Sequence, residues 1–240
     1  SPMTPRLTEA CVHLLEDLKN LPILKSLYLL GDWLDAWLGD DTYTRLSDDQ
    51  KATHWLYPVI TALNALADNH IQILVMRGNR DFMIRQTLCD TFKGVLIQEP
   101  YPINTTKHRI RLEHGDALCT DDTSYQRYRA IINHPMTRMV LNQLPLALRK
   151  KLANNIQNHS HHQKSHKPPK IMNVNPSAVD AAKRDCDILL HGHTHRPNVH
   201  HHGRKIRIVL GDWRDDGRHI HAEIGLMIGE DLQLAQFKYG

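Results

Sequence analysis

The sequence predicts an α/β fold in which two sheets are flanked by helices, and three observations support this prediction. Residues 7–18 and 55–67 have apolar side chains at helical spacing, whereas residues 27–30 and 71–76 are short apolar runs of strand length. Several such runs are followed directly by glycine together with Asp, Asn or His. The length of 240 residues and the hydrophobic content of 41% are enough for one large domain with a substantial core.

Local signals place the individual elements along the chain. Pro5 lies near the start of the first helix, where proline is tolerated. Near the end of the chain, residues 220–228 and 232–237 are predicted to form a closing hairpin, because Gly229-Glu230-Asp231 between them is typical of a turn. Further strands are predicted at residues 94–98, 110–113, 188–190 and 206–210.

The middle of the chain departs from this alternation. Residues 123–179 contain no Asp or Glu but carry nine Lys and Arg residues, in a chain whose net charge is only +4. We expect residues 123–170 to form a helical cap inserted into a core made of residues 1–122 and 171–240. Within it we predict helices at 125–132, 137–143 and 146–156, the last two separated by Pro145, followed by a polar, His-rich loop at 157–169.

The basic cap has three interpretations. It could be a solvated basic face, a nucleic-acid-binding surface, or a surface for an anionic lipid at a membrane. Its apolar residues exceed what one packing face needs, and the aromatic residues that stack on single-stranded nucleic acid are sparse. These features favour acyl chains between the cap helices and anionic headgroups beside them.

Composition narrows the class of protein further. No apolar run approaches the roughly 20 residues that a transmembrane helix requires. The chain has four cysteines, which are scattered and form no Cys-x-x-Cys pair, so we interpret them as free thiols in a reducing compartment.

Four short loops carry the chemistry. They are Gly31-Asp32, Gly78-Asn79-Arg80-Asp81, His114-Gly115-Asp116 and Gly192-His193-Thr194-His195, and each follows an apolar run. Side chains at the ends of successive strands can converge on one point in an α/β sheet. The candidate metal ligands are Asp32, Asn79, His114, His193 and His195.

These ligands supply only oxygen and nitrogen, which suits manganese, iron(II) or zinc in a two-metal cluster for phosphate-ester chemistry. Each residue also has a simpler interpretation. Asp32 could cap a turn, Asn79 could serve the αL backbone of its turn, and a single His after a strand is commonly just hydrogen-bonded. Because all four loops occur together, we favour a metal centre in which Asp32 bridges two cations.

The neighbours of these ligands suggest supporting roles. The planar guanidinium of Arg80 suits a pair of phosphate oxygens. Without the neighbouring motifs, Arg80 would be interpreted as a solvated surface charge. Asp81 is expected to support a ligand or a turn, and Asp116 could orient a ligand imidazole. We interpret two further groups of histidines mainly as solvated loop residues: His159, His161, His162 and His166, and His200 to His202.

The order of these motifs resembles a known family. GNRDF at 78–82, HGDALCTDD at 114–122 and GHTHRP at 192–197 are similar to the motifs of calcineurin-like metallophosphoesterases, and within them to the UDP-2,3-diacylglucosamine pyrophosphatases of lipid A biosynthesis. The resemblance spans nearly the whole chain. It implies a four-layer α/β/β/α metallophosphoesterase sandwich with an inserted helical cap.

The resemblance also implies an activity. The family splits the pyrophosphate of UDP-2,3-diacylglucosamine into UMP and 2,3-diacylglucosamine 1-phosphate, with two Mn²⁺ ions activating a water. Asp32 and Arg80 would be the catalytic residues, Arg80 offsetting charge on the departing phosphate. The expected partners are the lipid-linked UDP-sugar and the cytoplasmic face of the inner membrane, bound peripherally, with no nucleic acid. Matching substrate-contacting positions are Asn79, Arg80, Asp122, Ser160, Lys167 and His193, and we add Lys164 on charge alone.

One family feature lies outside the sequence. The family opens with a strand ending in Asp-x-His, which supplies metal ligands, and no such pair precedes Gly31 here. We expect the gene to encode it shortly before Ser1. The alternatives are a metallophosphoesterase acting on another phosphodiester such as a cyclic nucleotide, a metal-depleted non-catalytic scaffold of the same fold, and a nucleic-acid-binding protein that uses the basic cap.

Overall fold

Three sheets organise the computed structural model, which describes residues 4–164 and 173–240, with side chains described outside 156–164. The first sheet is parallel and has the order β1-β2-β3. Its strands are β1 (Ser26–Leu30), β2 (Gln72–Met76) and β3 (Val95–Ile97). All three are short apolar runs, as expected of strands covered on both faces.

The second sheet has the order β4-β5-β6-β8-β7, with a parallel centre and antiparallel edges. Its strands are β4 (Tyr101–Asn104), β5 (Arg109–Glu113), β6 (Ile188–His191), β7 (Asn198–His202) and β8 (Lys205–Val209). The third sheet is the predicted hairpin extended by a short strand: β9 (Arg214–Asp215), β10 (Ile220–Ile228) and β11 (Asp231–Tyr239). Gly229 in the hairpin turn has φ 62°, which glycine adopts without strain.

Helices cover both outer faces. The first helix begins where the Thr4 side chain accepts a hydrogen bond from the Leu7 N–H, with Pro5 at its first position. The helices are α1 (Pro5–Lys19), α2 (Asp41–Thr44), α3 (Asp48–Ala52), α4 (Tyr57–Asp68), α5 (Gln86–Cys89), α6 (Thr123–Asn133), α7 (Pro135–Gln143), α8 (Leu146–Lys164) and α9 (Pro176–Ala182). No helix in the described part of the chain is both long and apolar enough to cross a membrane.

Three apolar clusters fix the order of the layers. One packs α1 and α4 against Ile73 and Val75 of β2. A second joins the inner faces of the first two sheets, with Leu74 and Ile208 among its buried members. A third packs α9 against Leu189 on the outer face of the second sheet. The layers are therefore helix, sheet, sheet and helix, and the predicted α/β/β/α fold is confirmed.

Several local predictions need correction. The loop predicted at 157–169 is wrong in its first part, because α8 continues to Lys164. No Gly or Pro interrupts the chain between Pro145 and Pro168, so each added residue only extends an existing helix. His200 to His202 lie in edge strand β7, although His201 and His202 are exposed as expected. Helices α6, α7 and α8 lie between β5 and β6 in the sequence; their separation as a cap remains a prediction.

Candidate metal centre

The predicted ligands lie at the carboxyl ends of four parallel strands. Asp32 is two residues beyond β1, Asn79 three beyond β2, His114 directly after β5, and His193 two residues beyond β6. Because β1 and β2 belong to the first sheet and β5 and β6 to the second, the loops meet where the two sheets face each other.

The side chains converge tightly. One ligand atom each from Asp32, His114 and His193 lies within 4.8 Å of the others. His114 Nε2 is 3.6 Å from Asp32 Oδ2 and 3.2 Å from His193 Nδ1. It also lies 3.1 Å from the Asn79 side-chain oxygen. The structure therefore brings together four of the five predicted ligands.

The tautomer of His114 favours a cation at this point. Its Nδ1 is 3.0 Å from the Leu30 carbonyl oxygen, which can only accept, so Nδ1 carries the hydrogen. The neutral ring then presents its Nε2 lone pair to the oxygens of Asp32 and Asn79. Burial lowers the pKa of His114, but the carboxylates of Asp32 and Asp116 and the Leu30 carbonyl outweigh burial and leave it raised. A positive charge relieves this crowding of lone pairs, so the residues fit a divalent metal ion.

The backbone at the centre is strained. Asp32 has φ 55°, His193 has φ 65° and His195 has φ 52°, values that residues with a side chain rarely adopt. A Cβ atom on Gly31 would lie 2.6 Å from His114 Nδ1, so only glycine lets this loop approach the imidazole. Such strain clusters at functional sites, where the surrounding structure holds it.

Asp81 ties the first two loops together. It is fully buried and accepts hydrogen bonds from the backbone N–H groups of Gly78 at 2.6 Å and Trp33 at 3.1 Å. Burial and the neighbouring Asp32 raise the pKa of Asp81 to about 7. Asp81 thus supports the loops that carry Asp32 and Asn79.

Arg80 lies at the open side of the cluster. Its backbone N–H donates to Asp32 Oδ1 at 2.8 Å, and its Nε is 3.6 Å from Asp32 Oδ2. Its Nη1 pairs with Asp35 at 2.8 Å, and 40% of its side chain is exposed. The guanidinium is therefore accessible to a ligand beside the cluster.

His195 is set apart from the other four. Its Nδ1 is 3.3 Å from Asp212 Oδ2, and it does not belong to the compact group. Burial lowers the pKa of His195, although Asp212 and Asp32 act to raise it. His195 therefore lies near enough to feel the charge of Asp32, but its side chain is not among those that converge.

The substrate-contacting positions are only partly described. Asp122 begins α6, where its side chain accepts hydrogen bonds from the Tyr125 N–H at 3.0 Å and the Ser124 hydroxyl at 2.8 Å. Ser160 and Lys164 lie in the end of α8 whose side chains are not described, and Lys167 lies outside the described residues.

Asp116 does not orient His114, because the Leu30 carbonyl holds that ring. Asp116 instead contacts Tyr125 and Arg129, which the sequence reasoning missed. The spacing of these two residues, four apart on one predicted helix, is the sequence signal that they share a face.

A second group of possible ligands lies at the start of β10. Asp216, His219 and His221 each have one ligand atom within 4.8 Å of the others, but Asp216 is exposed. His221 pairs in register with Arg214 and Lys238, whose positive charges disfavour a cation. An Asp–His hydrogen bond of 3.1 Å accounts for this arrangement without a metal.

The fold is an α/β/β/α sandwich, and the site is a cluster of Asp, Asn and His side chains that fits a divalent metal ion. No protein-family model matches the chain. Curated relatives do: it is 37% identical over 219 residues to a UDP-2,3-diacylglucosamine hydrolase of Stutzerimonas stutzeri, covering 89% of this chain and 87% of the relative. It is 34% identical over 240 residues to the enzyme of that name in Ectopseudomonas mendocina, covering 98% of this chain and 93% of the relative. The chain belongs to the family of UDP-2,3-diacylglucosamine hydrolases, and the resemblance seen in its motifs is confirmed.

Two solved structures are also similar to this chain. The chain is similar to an archaeal phosphodiesterase with a TM-score of 0.47 at 12% identity, covering 96% of this chain and 92% of the other. It is similar to a Vps29 double mutant from Entamoeba histolytica with a TM-score of 0.39 at 12% identity, covering 95% of this chain and 89% of the other.

Proposed function

We propose that this chain hydrolyses the pyrophosphate bond of UDP-2,3-diacylglucosamine to UMP and 2,3-diacylglucosamine 1-phosphate, a step of lipid A biosynthesis. Membership of the hydrolase family supports the substrate. The single observation that supports the chemistry is the buried convergence of His114 Nε2 with Asp32, Asn79 and His193.

Two manganese ions are the proposed cofactors. Asp32, Asn79, His114 and His193 would hold one centre, and His195 is the further ligand bordering it. The ions would supply a hydroxide nucleophile near neutral pH. The carboxylate of Asp32 would offset the repulsion between two cations held close together.

The protein's own residues act on the phosphates. Arg80 is next to Asp32 and partly exposed, so its fork can bind the phosphate that departs with the sugar. Its fixed positive charge offsets the negative charge that grows there in the transition state. Asp122 lies at the start of α6, where it can meet the substrate beside the cluster. Ser160, Lys164 and Lys167 are proposed to contact the substrate on grounds of residue type.

Exposed apolar side chains on α6, α7 and α8 support a lipid substrate. Ile131 is 61% exposed and Met136 63%, and these helices also expose Met139, Val140, Leu148 and Leu152. Exposed Arg127, Lys150 and Lys151 lie among them. This pairing suits acyl chains beside an anionic surface, so we propose peripheral binding at the cytoplasmic face of the inner membrane.

Co-sedimentation of the protein with anionic vesicles tests the membrane binding. The bound fraction should fall as salt rises, and a protein that does not bind vesicles at low salt would contradict the proposed membrane binding.

Metal-dependent release of UMP tests the reaction. The full-length protein, stripped with a chelator, should release no UMP from UDP-2,3-diacylglucosamine, and added Mn²⁺ should restore release. A His201→Ala variant, which changes an exposed histidine on β7, should behave as the wild type. Equal UMP release with and without metal would refute the proposal.

A further inference from the structure

An ionic network centred on the buried Asp116 connects α6 to the metal centre. Its members are Glu99, Asp116, Tyr125 and Arg129, none of which is a predicted ligand. Tyr125 and Arg129 are four residues apart on α6, so both side chains leave the same face of the helix. That face is turned toward the ligand loops.

Asp116 and Glu99 lie between α6 and the ligands. Asp116 Oδ2 accepts a hydrogen bond from the Tyr125 hydroxyl at 2.7 Å and lies 2.9 Å from Arg129 Nε. The other end of the Arg129 guanidinium donates to Glu99 Oε1. Glu99 Oε2 in turn accepts a hydrogen bond from the His114 backbone N–H at 2.9 Å. Arg129 therefore reaches His114 through one intervening carboxylate.

The ring of Tyr125 makes a second and direct contact. It stacks on the His193 imidazole with centroids 6.0 Å apart and an angle of 29° between the planes. His193 in turn packs against His114 with centroids 5.0 Å apart. One ligand imidazole, His193, thus contacts α6 directly, and the backbone of the other, His114, is linked to α6 through Glu99.

Packing alone does not require charged groups at these positions. Asp116 is 3% exposed, and its Oδ1 has no hydrogen-bond partner among the residues whose side chains are described. Apolar residues of similar volume commonly hold a helix as well as a buried ion pair does. Charged groups with fixed geometry are instead suited to setting the orientation of ligands.

We propose that Tyr125 and Arg129 are positioning residues for the metal centre. Tyr125 fixes the plane of the His193 ring, and Arg129 fixes His114 through Glu99. The affinity of the centre for metal then depends on α6. Asp122, a proposed substrate-contacting residue, lies at the start of the same helix. This inference rests on the proposed function, because it assumes that the cluster binds a divalent cation.

Metal affinity measured apart from activity tests the inference. Mn²⁺ is titrated into wild-type protein, Arg129→Gln, Tyr125→Phe and Tyr128→Phe, and free Mn²⁺ is read from its electron paramagnetic resonance signal. Loss of a group that supports a metal ligand typically weakens affinity roughly 10- to 100-fold, which is the range expected for Arg129→Gln. Tyr125→Phe keeps the ring but loses the hydrogen bond to Asp116 that holds the ring against His193, so a smaller loss is expected. Tyr128→Phe makes the same change on the same helix and should bind Mn²⁺ as the wild type.

Unfolding temperatures without metal separate positioning from a general loss of stability. Weaker Mn²⁺ binding by Tyr125→Phe, at an unfolding temperature matching that of Tyr128→Phe, supports the inference. Wild-type affinity in both Tyr125→Phe and Arg129→Gln overturns it, even if both variants unfold earlier. A wild-type protein that binds no Mn²⁺ contradicts the proposed cofactor, and with it this inference.

Discussion

The metal centre and the helices α6 to α8 depart from the usual distribution of side chains in opposite ways. At the centre, His114 is 1% exposed, so polar ligands lie where apolar residues are normally found. On the helices, Met136 is 63% exposed, so apolar residues lie in solvent. The first arrangement suits binding of a cation, and the second suits recognition of an apolar partner. Under the proposed function, the comparison assigns reaction and selectivity to different parts of one chain.

Two arginines join the helices α6 to α8 to the rest of the protein. Arg129 on α6 reaches the ligand loops through Asp116 and Glu99. Arg149 on α8 is 5% exposed and donates to the Leu38 carbonyl and to both carboxylate oxygens of Asp41. The helices are therefore held to the core by directional contacts at two points.

The largest effect is expected at the ligands. His193→Ala and Asn79→Ala each remove a proposed ligand, so each should abolish UMP release, well beyond the roughly 100-fold that loss of a supporting residue costs. Circular dichroism should show a folded protein in both. The matched control is His201→Ala. Near-normal turnover with unchanged metal content in either variant would remove that residue from the centre.

An intermediate effect is expected at the Arg149 contact. Arg149→Ala leaves a partly exposed Asp41 without its partner and should lower the free energy of unfolding by about 2–3 kcal/mol, less than for a fully buried pair. Arg149→Met keeps much of the volume and should lose less. Urea unfolding measures both, and a change below about 0.5 kcal/mol for Arg149→Ala would show that the contact does not anchor α8.

The same contact predicts a pH dependence. The hydrogen bond from Arg149 lowers the pKa of Asp41 below its usual 3.8, despite the opposing effect of burial. A carboxyl with a lowered folded pKa contributes stability above its unfolded pKa and loses it as pH falls through the folded pKa. The stability difference between the wild type and Arg149→Met should therefore be constant near pH 7 and shrink below about pH 4. A difference that stays unchanged down to pH 2 would contradict this assignment.

The sequence predicts the core better than the contacts between its parts. Strand β1, helix α4 and the hairpin carry their signals locally, in apolar spacing and turn residues, and the structure has them. Strand β4 was missed because it is a run of only four residues that contains Pro102, and proline is atypical of a strand. The extension of α8 was missed because a run of polar residues is typical of a loop.

The site shows the same limit. Loop motifs identify Asp32, Asn79, His114 and His193, since each follows a strand. The pairing of His195 with Asp212 and of Arg129 with Glu99 could not be predicted, because the partners are separated by 17 and 30 residues and meet only through the packing of the layers. The assignment of all five ligands remains a prediction until metal binding is measured.

The most direct test of the division between reaction and selectivity compares two substrates. The measurement is kcat/KM for UDP-2,3-diacylglucosamine and for UDP-N-acetylglucosamine, in matched detergent, salt and Mn²⁺. If α6 to α8 bind the acyl chains, each buried methylene contributes roughly 0.8 kcal/mol, so the acylated substrate should be favoured far more than tenfold. Values within about tenfold of each other, or ~1.4 kcal/mol, would contradict the assignment of lipid selectivity to these helices.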